Sequence, residues 1–394
     1  MWDGKLAELS KEFSAVAFID TLFNQAFSKN TSDIHIESIE KGIAVRFRTD
    51  GILHKVTEVT HENAYHVIAR LKVLAHLDVS ERRLAQDGKF SFIKKNMPVD
   101  LRVATFPSLY GEHLVIRILD RSPDYFSIEK LGFLPDSKEQ FCNLIKHSHG
   151  LLLVTGPTGS GKTTTLYSAL NLINHQEKHI ITLEEPIEYS FPGITQAQMR
   201  PEIGFTFATA LRSVLRQDPD IILVGEIRDY ETAEIAIQAA LTGHLVVSTL
   251  HTTDAPSAVI RLIDMGVRSF LINATVTGVL AQRLVRALCS ECRIPGSVPA
   301  EYQLLAQRFG VILQNVYEPQ GCAHCYNTGY RGRIGIFELL RVNTEIKELI
   351  TRRPSYQQLY DAAVAGGMRT LLHDGLLKVA HGLTSLSELA RVIG

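Results

Sequence analysis

Residues 151–170 read LLLVTGPTGSGKTTTLYSAL. Five residues typical of a buried strand lead into a glycine-rich turn, and a helix-forming stretch follows. Residues 156–163, GPTGSGKT, fit G-x-x-x-x-G-K-[ST] in the strand-to-helix setting that this pattern requires. Glycines let backbone N–H groups wrap closely around phosphate oxygens at the positive end of a helix. The stretch therefore predicts a phosphate-binding loop, with a glycine-rich turn that binds no ligand as the alternative.

The side chains of this loop favour a nucleotide with a bound magnesium ion. The Lys162 ammonium would reach the β- and γ-phosphates, and the Thr163 hydroxyl would hold Mg²⁺. The predicted nucleotide-binding residues are Gly156, Pro157, Thr158, Gly159, Ser160, Gly161, Lys162, Thr163 and Thr164.

The composition is that of a globular protein, and the length is enough for two or three domains. Of the 394 residues, 45% are hydrophobic and 21% charged, and the net charge of −1 excludes a global field that recruits nucleic acid or anionic lipid. The first residues form no signal peptide, and the chain has five cysteines, so we predict a reducing cytoplasm without disulfides. The sequence contains no apolar run of the roughly 18 residues that a membrane helix needs.

Residues 1–119 predict a small α+β domain. Short alternating runs at residues 34–38 and 44–51 predict antiparallel strands, with turns at Lys41-Gly42 and Asp50-Gly51. In the second run, Val45 and Phe47 would face one side of a sheet, and Arg46 and Arg48 the other. Further strands are predicted over residues 99–106 and 113–119, and a helix over residues 61–77. One helix or two short ones are predicted before Asn30, from the spacing of Leu6, Leu9, Phe13, Val16, Phe23 and Phe27.

The pattern changes after a linker predicted at residues 120–132. Apolar runs of strand length alternate with helical stretches, which predicts a parallel sheet with crossover helices over residues 133–394. Past residue 340 the pattern predicts a cluster of short helices. The predicted strands are residues 151–155, 179–183, 220–225 and 244–250.

Carboxylates and histidines follow these buried strands. Glu226 ends the run DPDIILVGE, where an acidic residue would associate with Mg²⁺; the alternative is a surface pair with Arg228. The run ITLEEPIEY, residues 181–189, offers a carboxylate that could orient or deprotonate water, with solvated turn charges as the alternative. His244 and His251 would lie about 23 Å apart on an extended strand, so at most one can touch a γ-phosphate.

Two C-x₂-C pairs predict a structural zinc site. Cys289 and Cys292 precede Cys322 and Cys325, and four thiolates suit a closed tetrahedral site. The alternatives are reduced cysteines without a metal, or a redox role. Cys142 stands alone on an apolar helical face, which is typical of a core position.

Four stretches in this order resemble the signature boxes of the secretion ATPases of type II secretion and type IV pili. They are GPTGSGKTT, ITLEEPIEY, LRSVLRQDPDIILVGEIRD and TGHLVVSTLHTTDA. The likeness extends over roughly residues 15–394, and in the first domain it rests on SDIHIE, RFRTDG, ERRLAQDGK and GEHLVIRIL. It implies an α/β fold: a RecA-like P-loop ATPase domain, a smaller N-terminal α+β (PAS-like) domain and a zinc-binding insert at about residues 287–340.

The resemblance also implies an activity and roles for particular residues. The chain would hydrolyse ATP as a homohexamer on the cytoplasmic face of the inner membrane, turning an integral platform protein so that pilin subunits enter or leave a filament. It would bind no nucleic acid and would not insert into the membrane. Glu184 would be the catalytic base, Glu226 the metal-associated carboxylate and His251 the γ-phosphate sensor, supported by His244. Arg102 and Arg117 would fold onto the nucleotide, a role that suits the permanent charge and fork of arginine; the alternative is ordinary exposed strand charges.

The sequence departs from the family at two places. Glu185 stands where the family has aspartate, and at most some 15 residues precede the matching region, where secretion-type members carry a further docking domain. We therefore expect either a short member of the family or a truncated chain. The four-cysteine insert favours an assembly motor over the retraction type. Two other classes stay open at this point: a RecA-like motor that translocates DNA, and a scaffold that binds ATP with little turnover.

Overall fold

The computed structural model describes residues 13–94, 97–119 and 126–394. The helix positions predicted at Leu6 and Leu9, and the predicted linker residues 120–125, lie outside these ranges. Contacts divide the chain into two units, of which the first comprises residues 1–123 and 320–332 and the second residues 124–319 and 333–394. The domain boundaries drawn from the sequence stay a prediction.

Among the described residues, the first unit contains an antiparallel sheet and two α-helices. The sheet has the order β3-β2-β1-β6-β5-β4, and each neighbouring pair is antiparallel. The predicted turn at Asp50-Gly51 joins β2 to β3, because Thr49 pairs with Ile52. The elements are α1 (Ala15–Ser28), β1 (Thr31–Ile39), β2 (Gly42–Thr49), β3 (Ile52–Thr60), α2 (His61–Leu74), β4 (Gln86–Lys94), β5 (Met97–Ser108) and β6 (Gly111–Leu119).

One face of this sheet is buried and the other carries charge. Val45 and Phe47 are buried in a core shared with α1 and α2, whereas the Arg46 side chain is 38% exposed. The predicted alternation is therefore confirmed. The sequence did not predict β4, because its first half is polar and only Phe90 and Phe92 show the apolar alternation of a half-buried strand.

The second unit is built on a larger sheet. Its elements are α3 (Pro135–Ile145), β7 (Gly150–Thr155), α4 (Lys162–Ile173), β8 (Ile180–Glu184), β9 (Ile194–Gln198), α5 (Phe207–Val214), β10 (Ile221–Val224), α6 (Tyr230–Leu241), β11 (Leu245–Leu250), α7 (Ala255–Asp264), α8 (Ser269–Thr275), β12 (Val276–Leu288), β13 (Ile294–Pro295), α9 (Ala300–Arg308), β14 (Tyr317–Glu318), β15 (Tyr330–Arg341), α10 (Thr344–Thr351), α11 (Tyr356–Ala365), α12 (Leu371–Ala380) and α13 (Leu386–Ile393).

Seven strands form this sheet in the order β15-β12-β7-β11-β10-β8-β9. The neighbours from β12 to β9 are parallel. Leu151 and Leu153 of β7 pack in one cluster with α5, α6, α7 and α8, while Leu152 and Val154 pack in another with α3 and α4. Helices therefore cover both faces, as the near-continuous apolar strands predict.

The predicted α/β class is confirmed, with differences in detail. The four predicted parallel strands are β7, β8, β10 and β11, and the short helices past residue 340 are α10 to α13. The sequence did not predict β9, β12, β15 or the two-residue strands β13 and β14. The β12 stretch, VTGVLAQRLVRAL, interrupts its apolar residues with glycine, glutamine and arginine, so its period resembles neither a buried strand nor an amphipathic helix.

A buried ion pair fixes α12 against β15. The Lys378 ammonium donates to Asp374 Oδ2 and to the Gly335 carbonyl, both at 2.6 Å, and the backbone N–H of Phe337 donates to the same carboxylate oxygen. Both side chains are at most 1% exposed. Burial lowers the pKa of Lys378, and the neighbouring carboxylate opposes that shift. Each of the two buried side chains thus needs its partner in order to stay charged.

Removing one partner of this pair should be costly. Asp374→Ala leaves a buried ammonium uncompensated, so we expect the free energy of unfolding to fall by about 3–5 kcal/mol in urea titrations. Glu58→Ala, which breaks the exposed pair of Lys55 and Glu58, is the matched control and should change it by less than about 1 kcal/mol. If both variants lost a similar free energy of unfolding, burial of the Lys378–Asp374 pair would not be the cause of the loss.

Candidate nucleotide-binding site

The loop between β7 and α4 has the backbone that phosphate binding requires. Gly156, Gly159 and Gly161 have φ values of +150°, +78° and +87°, which residues with a Cβ rarely adopt. A Cβ at Gly156 would lie 2.5 Å from the Gln282 carbonyl oxygen, so glycine is needed there for space as well. The helix α4 begins directly at Lys162 and directs its first N–H groups into the loop.

The Lys162 ammonium is held over this loop. It donates to the carbonyl oxygens of Gly156 at 2.8 Å and Pro157 at 3.1 Å. Burial lowers its pKa, and the charge of Glu226 opposes the shift. Next to it, Thr163 is exposed. The loop therefore presents an ammonium, a hydroxyl and a row of N–H groups, the chemistry that a magnesium-bound polyphosphate uses.

The carboxyl end of the sheet brings several charged groups together. Arg228 pairs with Glu226 and, at 3.3 Å, with Glu185, and His251 Nε2 lies 3.4 Å from Glu226 Oε2. The hydrogen bond to Glu226 raises the pKa of Arg228. The pairing of Glu226 with Arg228, which the sequence left as an alternative, is thus present, but it stands at the same edge as the phosphate loop rather than on a remote surface.

The two consecutive carboxylates at the end of β8, Glu184 and Glu185, face different surroundings. Glu184 is only 4% exposed and accepts hydrogen bonds from Tyr167, Thr182 and Gln196, the last at 2.9 Å. Burial and the Glu184 charge raise the pKa of Tyr167. Glu185 is the carboxylate that reaches Arg228 at the open edge. The structure therefore groups Glu185, rather than Glu184, with Arg228 and Glu226.

The two histidines lie at opposite ends of β11, as the sequence predicts. His244 Nδ1 donates to the Ala239 carbonyl at 2.9 Å, on the amino side of the strand. His251 lies on the carboxyl side, in a loop held by Thr155, whose hydroxyl accepts from the Thr252 N–H at 2.9 Å. The structure brings His251 to Glu226 but leaves His244 at the far end of the strand.

Sequence reasoning missed several residues of this site. Tyr167 and Gln196 surround Glu184, Gln282 contacts the phosphate loop, and Arg283 Nη2 donates to the Thr253 carbonyl at 2.7 Å. These side chains belong to no phosphate-binding motif, and they are distant in sequence from the groups they contact. No local pattern could have identified them.

Arg102 and Arg117 belong to the first unit. They are directly paired across β5 and β6 on the face of the sheet that does not form the core. Arg117 Nε donates to Asp33 Oδ1 at 3.1 Å, and its side chain is 61% exposed. The two arginines thus lie side by side on this face, and their predicted contact with a nucleotide stays a prediction.

The four cysteines of the two C-x₂-C pairs come together. The sulfur atoms of Cys289, Cys292, Cys322 and Cys325 all lie within 4.8 Å of one another. Cys322 Sγ and Cys325 Sγ are 3.8 Å apart, the separation expected of two sulfurs about 2.3 Å from a tetrahedral zinc ion. The N–H groups of Cys322 and Gly329 point at Cys325 Sγ at 3.2 Å, which stabilises a thiolate. The arrangement fits a zinc site.

The loop, the sheet and the grouped charges define a P-loop ATPase with a RecA-like fold. Residues 8–391 match the family model described as type II/IV secretion system protein. The chain belongs to this family.

Relatives of the chain include secretion and pilus-assembly proteins. The chain is 46% identical to the type II secretion system protein E of Pectobacterium carotovorum subsp. carotovorum and 44% identical to the type II secretion system ATPase E of Vibrio cholerae serotype O1, covering 98% of this chain and 77% of each relative. It is 44% identical to the type IV pilus assembly ATPase PilB of Myxococcus xanthus, covering 98% of this chain and 69% of that relative.

Solved structures agree in fold. The Legionella pneumophila ATPase DotB superposes with a TM-score of 0.72 at 22% identity, covering 96% of this chain and 95% of DotB. The pilus retraction motor PilT with bound ADP superposes with a TM-score of 0.61 at 27% identity, covering 94% and 95%. The chain is an ATP hydrolase of the assembly type, because assembly ATPases match it far more closely in sequence than the retraction motor does. The assembly assignment made from the four cysteines is confirmed.

Within the part of the chain that the structure describes, we find no helix with both the length and the apolar character needed to cross a membrane.

Behind the His251 loop lies a buried carboxyl group. Glu338 is 2% exposed and accepts from the N–H groups of Ala255 at 2.8 Å and Leu371 at 3.3 Å. Burial raises its pKa from an ordinary value of 4.5 to about 7, and the charge of Asp254 adds to that shift. Between these two values the folded chain binds the proton more tightly than the unfolded chain does. The stability contributed by Glu338 is therefore present below pH 4.5 and lost as the pH rises to 7.

Glu338→Gln should remove this pH dependence. Between pH 4.5 and 7, we expect the wild type to lose roughly 3 kcal/mol of unfolding free energy relative to the variant, measured by urea titration at several pH values. Glu348→Gln, at an exposed position of α10, is the control and should follow the wild type. A constant difference between wild type and Glu338→Gln across this range would show that Glu338 does not titrate there.

Proposed function

We propose that this ATP hydrolase is a cytoplasmic motor that powers assembly of a pilus or pseudopilus. The observation that carries the proposal is the convergence of Lys162, Glu226 and His251 at one sheet edge, in a chain whose relatives are named as type II secretion and type IV pilus assembly ATPases. Such an enzyme couples ATP hydrolysis to motion, so the site needs no pocket for a second substrate.

The nucleotide would bind as ATP with Mg²⁺ at residues 156–164. The Lys162 ammonium would exchange its loop carbonyls for phosphate oxygens, and the Thr163 hydroxyl and Glu226 would hold the metal. Mg²⁺, when bound, neutralises charge between the β- and γ-phosphates. His251, beside Glu226, would contact the γ-phosphate. These contacts stabilise charge where it develops as the phosphoryl group transfers.

A carboxylate at the end of β8 would act as the catalytic base. The family resemblance assigns this role to Glu184, whereas the contacts of Glu185 with Arg228 favour the second carboxylate. Glu184 would have to leave Tyr167, Thr182 and Gln196 before it could accept a proton from water. The two assignments differ in which substitution removes turnover.

The rest of the motor would come from the N-terminal domain, from other copies of the chain and from other proteins. Arg102 and Arg117 would close onto the nucleotide from the N-terminal domain, for which we propose residues 1–119, joined by residues 120–132 to an ATPase domain at 133–394. The working form would be a homohexamer at the cytoplasmic face of the inner membrane, bound to an integral platform protein of the secretion or pilus machine. Nucleic acid would not be a partner, in line with the net charge of −1.

Zinc would be the structural metal of the insert. Cys289, Cys292, Cys322 and Cys325 would hold it as thiolates, and their mutual approach within 4.8 Å supports this set. A closed four-sulfur site contributes folding energy rather than chemistry.

The hydrolysis proposal is tested by steady-state ATP turnover in size-separated fractions of the purified chain. Activity should be confined to a large assembly and should not respond to added DNA. Glu226→Gln should lower turnover about 10²- to 10³-fold, because charge stabilisation at the phosphates is lost. Either Glu184→Gln or Glu185→Gln removes the catalytic base, and that variant should lower ATP turnover about 10²- to 10⁴-fold.

Glu301→Gln, at an exposed position of α9, is the control and should turn over like the wild type. Equal activity in the monomer would contradict the ring mechanism. Full activity of Glu226→Gln would contradict the proposed metal site, and stimulation by DNA would favour the nucleic-acid motor.

The zinc proposal is tested by metal content. We expect about one zinc ion per chain by mass spectrometry of the purified protein, and little zinc in Cys325→Ser, because three thiolates and a hydroxyl bind zinc more weakly. Cys142→Ser removes a cysteine outside the cluster and should retain the metal. Equal zinc content in all three proteins would exclude the four-cysteine site.

A further inference from the structure

A glutamine on the strand beside β7 contacts the phosphate loop. β12 runs parallel to β7, and Ala281 pairs with Thr155, the last residue of β7. Gln282 is therefore level with the first residue of the loop, Gly156. Its side chain is buried, with only 1% of the residue exposed.

Both ends of the carboxamide are used. Gln282 Nε2 donates to the Ser160 carbonyl at 2.6 Å, and Gln282 Oε1 accepts from the Thr165 hydroxyl at 2.8 Å. The backbone carbonyl of Gln282 lies against Gly156, at the other end of the loop. One residue thus contacts the beginning of the loop, its last turn and the first turns of α4.

These contacts matter because the loop binds phosphate with its N–H groups. When N–H groups point inward, the carbonyls of the same peptides point away, and a buried carbonyl needs a donor. Ser160 is only 3% exposed. A carboxamide offers a donor and an acceptor side by side, so Gln282 can satisfy Ser160 and Thr165 together.

The neighbouring residue contacts the second loop of the site. Arg283 Nη2 donates to the Thr253 carbonyl at 2.7 Å, in the loop that follows His251. Consecutive residues of β12 therefore contact the phosphate loop and the His251 loop.

We propose that Gln282 is a positioning residue for the phosphate loop: it fixes the Ser160 peptide so that the N–H groups of the loop face the nucleotide. The proposal rests on the nucleotide-binding function proposed above. Gln282 is buried and contacts the loop backbone, so its loss should weaken binding of ADP and ATP alike. The Michaelis constant should then rise more than the turnover number falls.

The test compares four variants of the full chain in the presence of Mg²⁺. Gln282→Met keeps the length of the side chain and removes both hydrogen bonds, whereas Gln282→Glu keeps the acceptor for Thr165 and loses the donor to Ser160. Thr165→Val removes only the hydroxyl that donates to Gln282. Gln238→Met, at an exposed position of α6, is the matched control.

Two quantities are measured for each protein: the dissociation constant for a fluorescent ADP analogue, and the urea midpoint of unfolding without nucleotide. We expect Gln282→Met to weaken binding about tenfold and Gln282→Glu at least as much, because the Ser160 carbonyl loses its donor in both. Thr165→Val should weaken it about two- to threefold, and adding it to Gln282→Met should have no further effect. Gln238→Met should match the wild type.

Wild-type affinity of both Gln282→Met and Gln282→Glu would overturn the proposal, because the Ser160 contact would then be dispensable. A lowered urea midpoint with an unchanged dissociation constant in Gln282→Met would also overturn it, by showing a purely structural role. If Gln282→Met does not fold, Gln282→Glu and Thr165→Val decide. A wild-type chain that binds no ADP would instead overturn the proposed function, and this inference with it.

Discussion

The site depends on the parallel pairing of β7 between β11 and β12. All six residues of β7 are buried, and both of its edges are hydrogen-bonded, so the strand ends at a fixed position in the sheet. The phosphate loop leaves from that point. Because parallel strands end at the same edge, Glu185, Glu226 and His251 meet the loop there, although they follow three different strands. Each of these groups is placed by the sheet rather than by contacts of its own.

Burial then separates groups that look alike in sequence. Glu184 and Glu185 are consecutive, and successive side chains near a strand point to opposite sides. Glu184 accepts hydrogen bonds from Tyr167, Thr182 and Gln196, while Glu185 faces the charged edge. Carboxylates in such different surroundings cannot share a role, because a base must be within reach of the proton that it accepts.

The first unit uses its sheet differently. Helices cover one face of its antiparallel strands, and the other face displays arginines whose geometry is set by Asp33. This carboxylate, with a side chain 11% exposed, contacts Arg117 at 3.1 Å and Arg48 at 4.0 Å. Arginines held in this way lose less conformational freedom when they bind an anion than free surface side chains do. An antiparallel sheet with one open face can therefore hold arginines in fixed positions on its surface.

The sequence by itself determined the features of this protein that depend on residues close together in the chain. The glycine spacing predicted the phosphate loop, apolar runs predicted β7, β8, β10 and β11, the alternation at residues 44–47 predicted the face of β2, and paired cysteines predicted the four-sulfur cluster. Strand order, the strands that the sequence did not predict, such as β4 and β12, and the different surroundings of Glu184 and Glu185 were decided only by the tertiary structure. The bond between Thr165 and Gln282 joins residues 117 positions apart. Local periodicity carries no information about such a partner, because the pairing of β12 with β7 forms only when the whole sheet buries its apolar surface.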